Sequence, residues 1–229
     1  MAFSGFGPQA VPFFKALAFH QTKDWFEANR AIYEDEIKRP LGDLVEDLAA
    51  RFAKAKTPLK GDRKGSLFRI NRDVRFAKDK SPYKTNAGAV LSRSGAKNDP
   101  GMLYFHVSAD GCFAAAGFWQ PEPAVLARLR AAIVRAPKAW KTMVAKLADG
   151  GLALEEEYAL KRAPRGFETI DDPEIAAAVR KTSLICSRDV AEPRLAKPAL
   201  VDDVVAFAQD AMPLLKWGWN AVVDARGDG

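Results

Sequence analysis

The spacing of apolar residues changes twice along this chain, and each change restricts what it can fold into. From Val11 to Phe52 apolar side chains recur every three or four positions, the interval that gathers them on one face of a helix. Val11, Phe14, Leu17 and Ala18 make a first stripe. Trp25, Phe26, Ile32, Tyr33 and Ile37 make a second, which begins after Thr22, a residue suited to N-capping. Leu41, Leu44, Val45, Leu48 and Phe52 make a third, and Pro40 fits its first turn, where a missing N–H would have no intrahelical acceptor anyway. An exposed, lysine-rich connection is predicted from Lys54 to Lys64, broken by Pro58 and Gly61.

Beyond it the interval falls to two. Phe68, Ile70, Val74 and Phe76 alternate with polar residues, as a half-buried strand requires. Further strands are predicted within Tyr83 to Ser94, from Met102 to Val107 and from Cys112 to Trp119. The last two are joined by Ser108-Ala109-Asp110-Gly111, whose Asp-Gly pair is the chemistry of a tight hairpin. Helical spacing returns with Val125, Leu126, Leu129 and Ile133, and Pro137 opens another helix that Gly150 and Gly151 end. Short strands are expected at Tyr158 to Phe167 and Ile185 to Val190. From Leu200 a closing helix carries Val201, Val204, Val205, Ala208, Met212 and Leu215, with Pro213 expected to kink or break it.

Helices, then segregated antiparallel strands, then helices define an α+β chain. Its expected parts are a helical N-terminal third (1–56), a motif and mainly antiparallel central sheet (65–120), helices packed on that sheet (121–149), and a mixed remainder (155–226). No stretch has linker composition, so a single domain spanning 1–229 is the expectation.

Charge is distributed less evenly than its total of +6 implies. Between Lys60 and Lys84 nine Lys or Arg residues face three acids, Asp62, Asp73 and Asp79. Subtracting that segment from chain totals of 35 and 29 leaves 26 of each sign, so the surplus is local. A regular strand at Phe68 to Phe76 would set Arg69, Asn71, Asp73 and Arg75 on one face and leave Arg72 on the apolar face. A guanidinium there is costly without a partner. Either a bulge turns it outward or an acid such as Asp73 or Asp79 pairs with it. Farther on, Asp79 can close a local turn, Pro82 restricts Ser81, and Lys80 and Lys84 bracket a corner that carries Tyr83. Guanidinium forks match carboxylate and phosphate oxygens, and lysines add point charge.

The string R-x-x-R-D-x-R-F-x-x-D-K-x-P-Y, filled by Arg69, Arg72, Asp73, Arg75, Phe76, Asp79, Lys80, Pro82 and Tyr83, resembles the signature of an uncharacterised bacterial family with fungal relatives, a conserved domain of unknown function. The likeness runs from the Trp25-Phe26 helix to the segment Lys161 to Phe167. It implies one family domain in a cytoplasmic protein and brings no established activity with it.

Four functions fit the motif. A phosphorylated or carboxylated small molecule would be held by Arg69, Arg72, Arg75, Lys80 and Lys84, with Asp73 and Asp79 orienting the cations and Tyr83 as a wall. An enzyme acting on a phosphate-bearing compound would use Asp73, Asp79 or His106 for proton transfer. A nucleic-acid-binding protein would need a wider basic stripe. A purely structural ion-pair network would need no ligand. Arg165 and Gly166 form a second basic element, where a positive φ can build an anion nest, although Glu155-Glu156-Glu157 nearby reads as a solvated face. No cofactor motif is present, and Cys112, Cys186, His20 and His106 lack metal-ligand spacing. Trp217 and Trp219 read as core. The N-terminus has no basic region before its apolar residues, and no run is long enough for a membrane span, so a cytoplasmic location is expected. Oligomeric state is left open by the sequence.

Overall fold

A computed structural model describes residues 2–75 and 78–223. Helix α1 (Ala10–Phe19) buries Val11, Phe13, Phe14 and Leu17. Helix α2 (Lys23–Ala28) is capped by Thr22, whose hydroxyl accepts the Trp25 N–H at 3.3 Å. The second apolar stripe is not one regular helix. Asn29 closes α2, α3 is a single turn (Arg30–Ile32), and Tyr33–Lys38 is π-helical, its backbone bonds one residue longer than in an α-helix. Tyr33 and Ile37 still point inward. Helix α4 (Arg39–Lys54) follows with Pro40 in its first turn and Leu41, Leu44, Val45, Leu48 and Phe52 all buried.

Four strands, β1 (Asn86–Ser92), β2 (Met102–Ser108), β3 (Cys112–Phe118) and β4 (Leu184–Asp189), form an antiparallel sheet in that order. The β2–β3 connection is the expected hairpin, with the Ser108 hydroxyl donating to the Gly111 carbonyl at 2.9 Å. Buried and half-buried residues alternate along most of β2, whereas β1 is buried at six successive positions. The protein is α+β, with helices at both ends of the chain and the sheet between them in sequence.

Two compact units can be distinguished. The first comprises the described residues of Met1–Asp99, Leu103–Ala114 and Asp189–Ala206, and includes α1 to α5 (α5 being Arg63–Ser66) and α9 (Glu192–Leu195). Its core holds Phe14, Leu17, Phe26, Ile37, Leu44 and Phe52, with Phe6 stacked on Phe105 at 6.2 Å. The second comprises those of Pro100–Met102, Ala115–Arg188 and Phe207–Gly229, and includes α6 (Pro123–Arg135), α7 (Pro137–Asp149) and α8 (Pro173–Arg180). Leu129, Ile133, Leu147 and Val179 are buried there. Trp217 meets Trp140 edge to face at 4.9 Å, and Trp219 donates its indole N–H to the Pro100 carbonyl, so both tryptophans pack as expected.

Several local predictions need correction. Phe68 to Val74 is not a strand, and Phe76 lies outside the described residues. Pairing changes partner midway: Leu67 bridges Ala89 on β1, then Asn71 bridges Tyr83. Asp73 and Asp79 next bind N–H groups two residues ahead, those of Arg75 and Ser81, which favours turns over a ladder. Tyr158 to Phe167 contributes one bridge, Ala159 to Lys181, before Pro164 opens a turn. The Lys54 to Lys64 connection is not uniformly exposed, because Leu59 is buried and Lys60 bridges Ser92. Helix α10 (Leu200–Val223) runs through Pro213 unbroken, and residues 224–226 lie outside the described residues.

Candidate anion-binding groove

The corner at Tyr83 is held from three sides. Its backbone N–H donates to Gln21 Oε1 at 3.1 Å, its ring stacks on Phe26 at 4.4 Å, and the flanking groups pair with the other arm of the loop. Arg72 N–H donates to Pro82 O, and Lys84 N–H to Ile70 O, at 2.9 and 2.8 Å. Phe26 belongs to α2, so the N-terminal helices position the motif directly.

Within the loop so closed, charges are largely matched. Arg72, whose side chain is 30% exposed, pairs with Asp79 at 2.8 Å and donates to Tyr83 O at 3.3 Å, while its buried Nε has no hydrogen-bond partner. Of the two ways to accommodate Arg72, pairing with Asp79 is the one adopted. Arg75 holds both oxygens of Asp73, at 3.0 and 2.7 Å, and Lys80 donates to Val74 O at 2.8 Å. The carboxyls respond accordingly. The Arg75 bonds, side chain first, hold Asp73 below the usual carboxylate range, and the Ser81 bonds, with Arg72 contributing less, do the same for Asp79. Arg69 lies 4.0 Å from Asp73 and stays 68% exposed.

Arg69, Tyr83 and Lys84 also line an open groove of about 1020 Å³ within the first unit. Its other wall comes from α2, α3, the π-helical turn, α4 and α5. Nine basic and two acidic side chains line it. Four of the bases are satisfied in place: Arg30 by Glu27 (2.5 Å), Lys38 by Glu34 (2.8 Å), Arg39 by Asp35 (3.3 Å), and Arg63 by Asp43 and Glu46 (2.5 and 2.9 Å). Lys23, Lys64, Lys84 and Lys97 have no carboxylate within 4 Å among the described residues.

Around Lys84 the crowding of like charge is greatest. Its ammonium lies 5.6 Å from the Phe68 ring centre, and that of Lys97, which donates to Leu67 O, lies 5.4 Å from the same ring. Burial, followed by Arg69, Arg72 and Lys97, pushes the Lys84 amine below the ordinary lysine range. Such a cluster carries positive potential that an anion would offset.

The remaining sequence candidates lie elsewhere. His106 is 2.8 Å from the Tyr104 hydroxyl and stacks on Phe113 at 4.6 Å; burial lowers its pKa. His20 stacks on Trp25. Gly166 has the expected positive φ, +86°, but its N–H donates to the chain's own Glu168 at 2.8 Å, and it belongs to the second unit with Arg165. The acid run is not simply a solvated face, since Glu156 and the Glu155 carbonyl hold the buried Lys181 ammonium, each at 2.8 Å. Cys112 and Cys186 are free and buried, and burial raises the Cys186 thiol to about 12. No group of three or more His, Cys, Asp or Glu residues suited to a metal ion occurs among the described residues, and no helix of theirs is long and apolar enough to cross a membrane.

Sequence reasoning missed Lys23, Lys64 and Lys97. Lys23 directly follows the N-cap of α2, and Lys64 is the second residue of α5, after Arg63. A cation opposes the helix dipole there. For Lys23 that unfavourable placement is readable from a cap followed by lysine.

Comparison with known sequences identifies the family. The sequence model of a conserved hypothetical protein family, DUF2461, matches residues 9–217. The chain belongs to that family. The match in DUF2461 takes in α1, the whole motif and groove, the sheet and most of α10. No curated protein and no solved structure matches the chain.

Proposed function

We propose that this DUF2461 protein is a cytoplasmic, anion-binding protein whose groove takes a small molecule bearing phosphate or carboxylate groups. One observation carries the reading: Lys84 is flanked by Arg69, Arg72 and Lys97 with no carboxylate in ion-pair reach of its own ammonium. Cations held together without counter-charge are destabilising unless something else gains from them. In this assignment Arg69, Lys84 and Lys97 contact the anion, Lys23 and Lys64 add charge from the helical wall, and Phe26, Phe68 and Tyr83 shape the floor. Arg72, Asp73, Arg75, Asp79 and Lys80 act indirectly by fixing the loop.

Proton transfer by Asp73, Asp79 or His106 has weaker support. Both carboxylates are committed to guanidinium or backbone partners, and none of the three residues lines the groove. Single-stranded nucleic acid is a second candidate ligand, favoured by a basic lining that extends beyond the motif to Lys23 and Lys97.

Calorimetric titration with inorganic pyrophosphate tests the assignment. Each charge-assisted contact contributes about 1.5–3 kcal/mol, so the Arg69→Ala, Lys84→Ala double variant should lose binding by a hundredfold or more (about 3 kcal/mol or above,) while keeping its circular dichroism. Undiminished affinity in a folded double variant rejects it. For nucleic acid, log affinity must fall against log salt by about 0.7 per phosphate contacted.

A further inference from the structure

Lys84 differs from the other groove lysines in how firmly it is held and in what surrounds it. Its backbone is fixed by the Ile70 carbonyl, it follows the buried Tyr83, and its side chain is half-buried against Phe68. Every ionised group acting strongly on it is a cation: Arg69, Arg72 and Lys97. The acids nearby are engaged otherwise, Asp79 by Arg72 and Ser81, Asp73 by Arg75, and Glu27 and Glu34 on the facing helical wall by Arg30 and Lys38. Burial and like charge both disfavour the ammonium, and a neutral amine is the nucleophilic form of lysine.

Resting on the anion-binding reading above, we propose that Lys84 forms a reversible imine with small carbonyl compounds that carry a phosphate or carboxylate, the anionic group being held by Arg69 and Lys97. The ammonium first loses a proton to solvent. The Nζ lone pair then attacks the carbonyl carbon, giving a carbinolamine, and the oxygen leaves as water with the two remaining N–H protons. Nothing is oxidised or reduced. The bound anion serves a second purpose, since it offsets the repulsion that a protonated imine would meet among Arg69, Arg72 and Lys97.

The probe is pyridoxal 5′-phosphate, an aldehyde with a phosphate, applied to the whole protein, reduced with borohydride and mapped by peptide mass spectrometry. Each unit by which an amine's pKa falls enlarges its neutral fraction about tenfold. Label should therefore accumulate at Lys84 faster than at any exposed lysine, with a pH midpoint below the ordinary value of about 10.4. Pyrophosphate should suppress it, and pyridoxal without the phosphate should label far more slowly. Lys84→Arg should lose the label while keeping its circular dichroism. Label scattered over many lysines, in a protein that does bind pyrophosphate, overturns this inference and leaves the anion site standing. Selective labelling of Lys84 that pyrophosphate does not suppress overturns the anion-holding role and, with it, the reading beneath.

Discussion

Lys84 and Arg63 carry the same charge on one groove, yet their surroundings act on them in opposite directions. Glu46 and then Asp43 bind the Arg63 guanidinium and raise its pKa further, whereas burial and neighbouring cations lower that of Lys84. At the residue scale, the same charge is thus stabilised beside acids and destabilised beside bases. Two tyrosines show the same sensitivity to burial. Tyr33 and Tyr104 are both pushed up to about 12, chiefly because the phenolate would be desolvated. Their folded pKa values exceed the unfolded value of 10.0, so their contribution to stability is complete below pH 10 and is lost as pH rises toward 12. Ultraviolet titration of tyrosinate should show these two ionising late, together with loss of the fold. Ionisation of every tyrosine near pH 10 in a folded protein would contradict the burial.

At the scale of elements, α4 shows how closely the groove wall is packed. Gly42 stands in mid-helix, where glycine costs about 0.5–1 kcal/mol relative to alanine. A Cβ there would lie 2.6 Å from Arg63 Nη1 and 2.9 Å from its Cγ and Cζ. Arg63 needs that space to reach Asp43, Glu46 and the Arg39 carbonyl. Gly42→Ala should therefore lower stability by about 1 kcal/mol where propensity alone forecasts a gain; a urea midpoint that rises would refute it. The elements themselves were readable to differing degrees. Regular stripes announced α1 and α4, and an Asp-Gly pair between alternating runs announced the β2–β3 hairpin, because local spacing and tertiary burial agree there. The alternation of Phe68, Ile70 and Val74 misled because it recorded burial without a continuous ladder. Two different partners supply the pairing on either side of Ile70, and no local rule reveals partner exchange.

For the whole molecule, the sequence located the surplus of charge but not the surface that shares it. Arg69, Tyr83 and Lys84 were legible because they crowd into one motif, and Lys64 falls in the same basic segment outside that motif, whereas Lys23 and Lys97 reach the groove only through tertiary packing. Self-repulsion there has a measurable consequence. Raising monovalent salt from a few millimolar to about 0.15 M, where the screening length is about 8 Å, should raise the thermal midpoint. The Lys64→Ala, Arg69→Ala, Lys84→Ala variant should respond less, and an equal response in both proteins would show that the repulsion lies elsewhere. The π-helical turn at Tyr33–Lys38 adds a latitude of another kind, in length. Removing one residue from it would restore ordinary pitch with little net rotation, because a residue in a π-helix turns through less than the 100° of an α-helical one, whereas removing one from the regular part of α4 would rotate everything beyond by about 100° about the axis. The α4 surface that meets Arg63 would keep its place in the wall in the first case and leave it in the second, so a one-residue deletion is tolerated better in the π-helical turn than in α4.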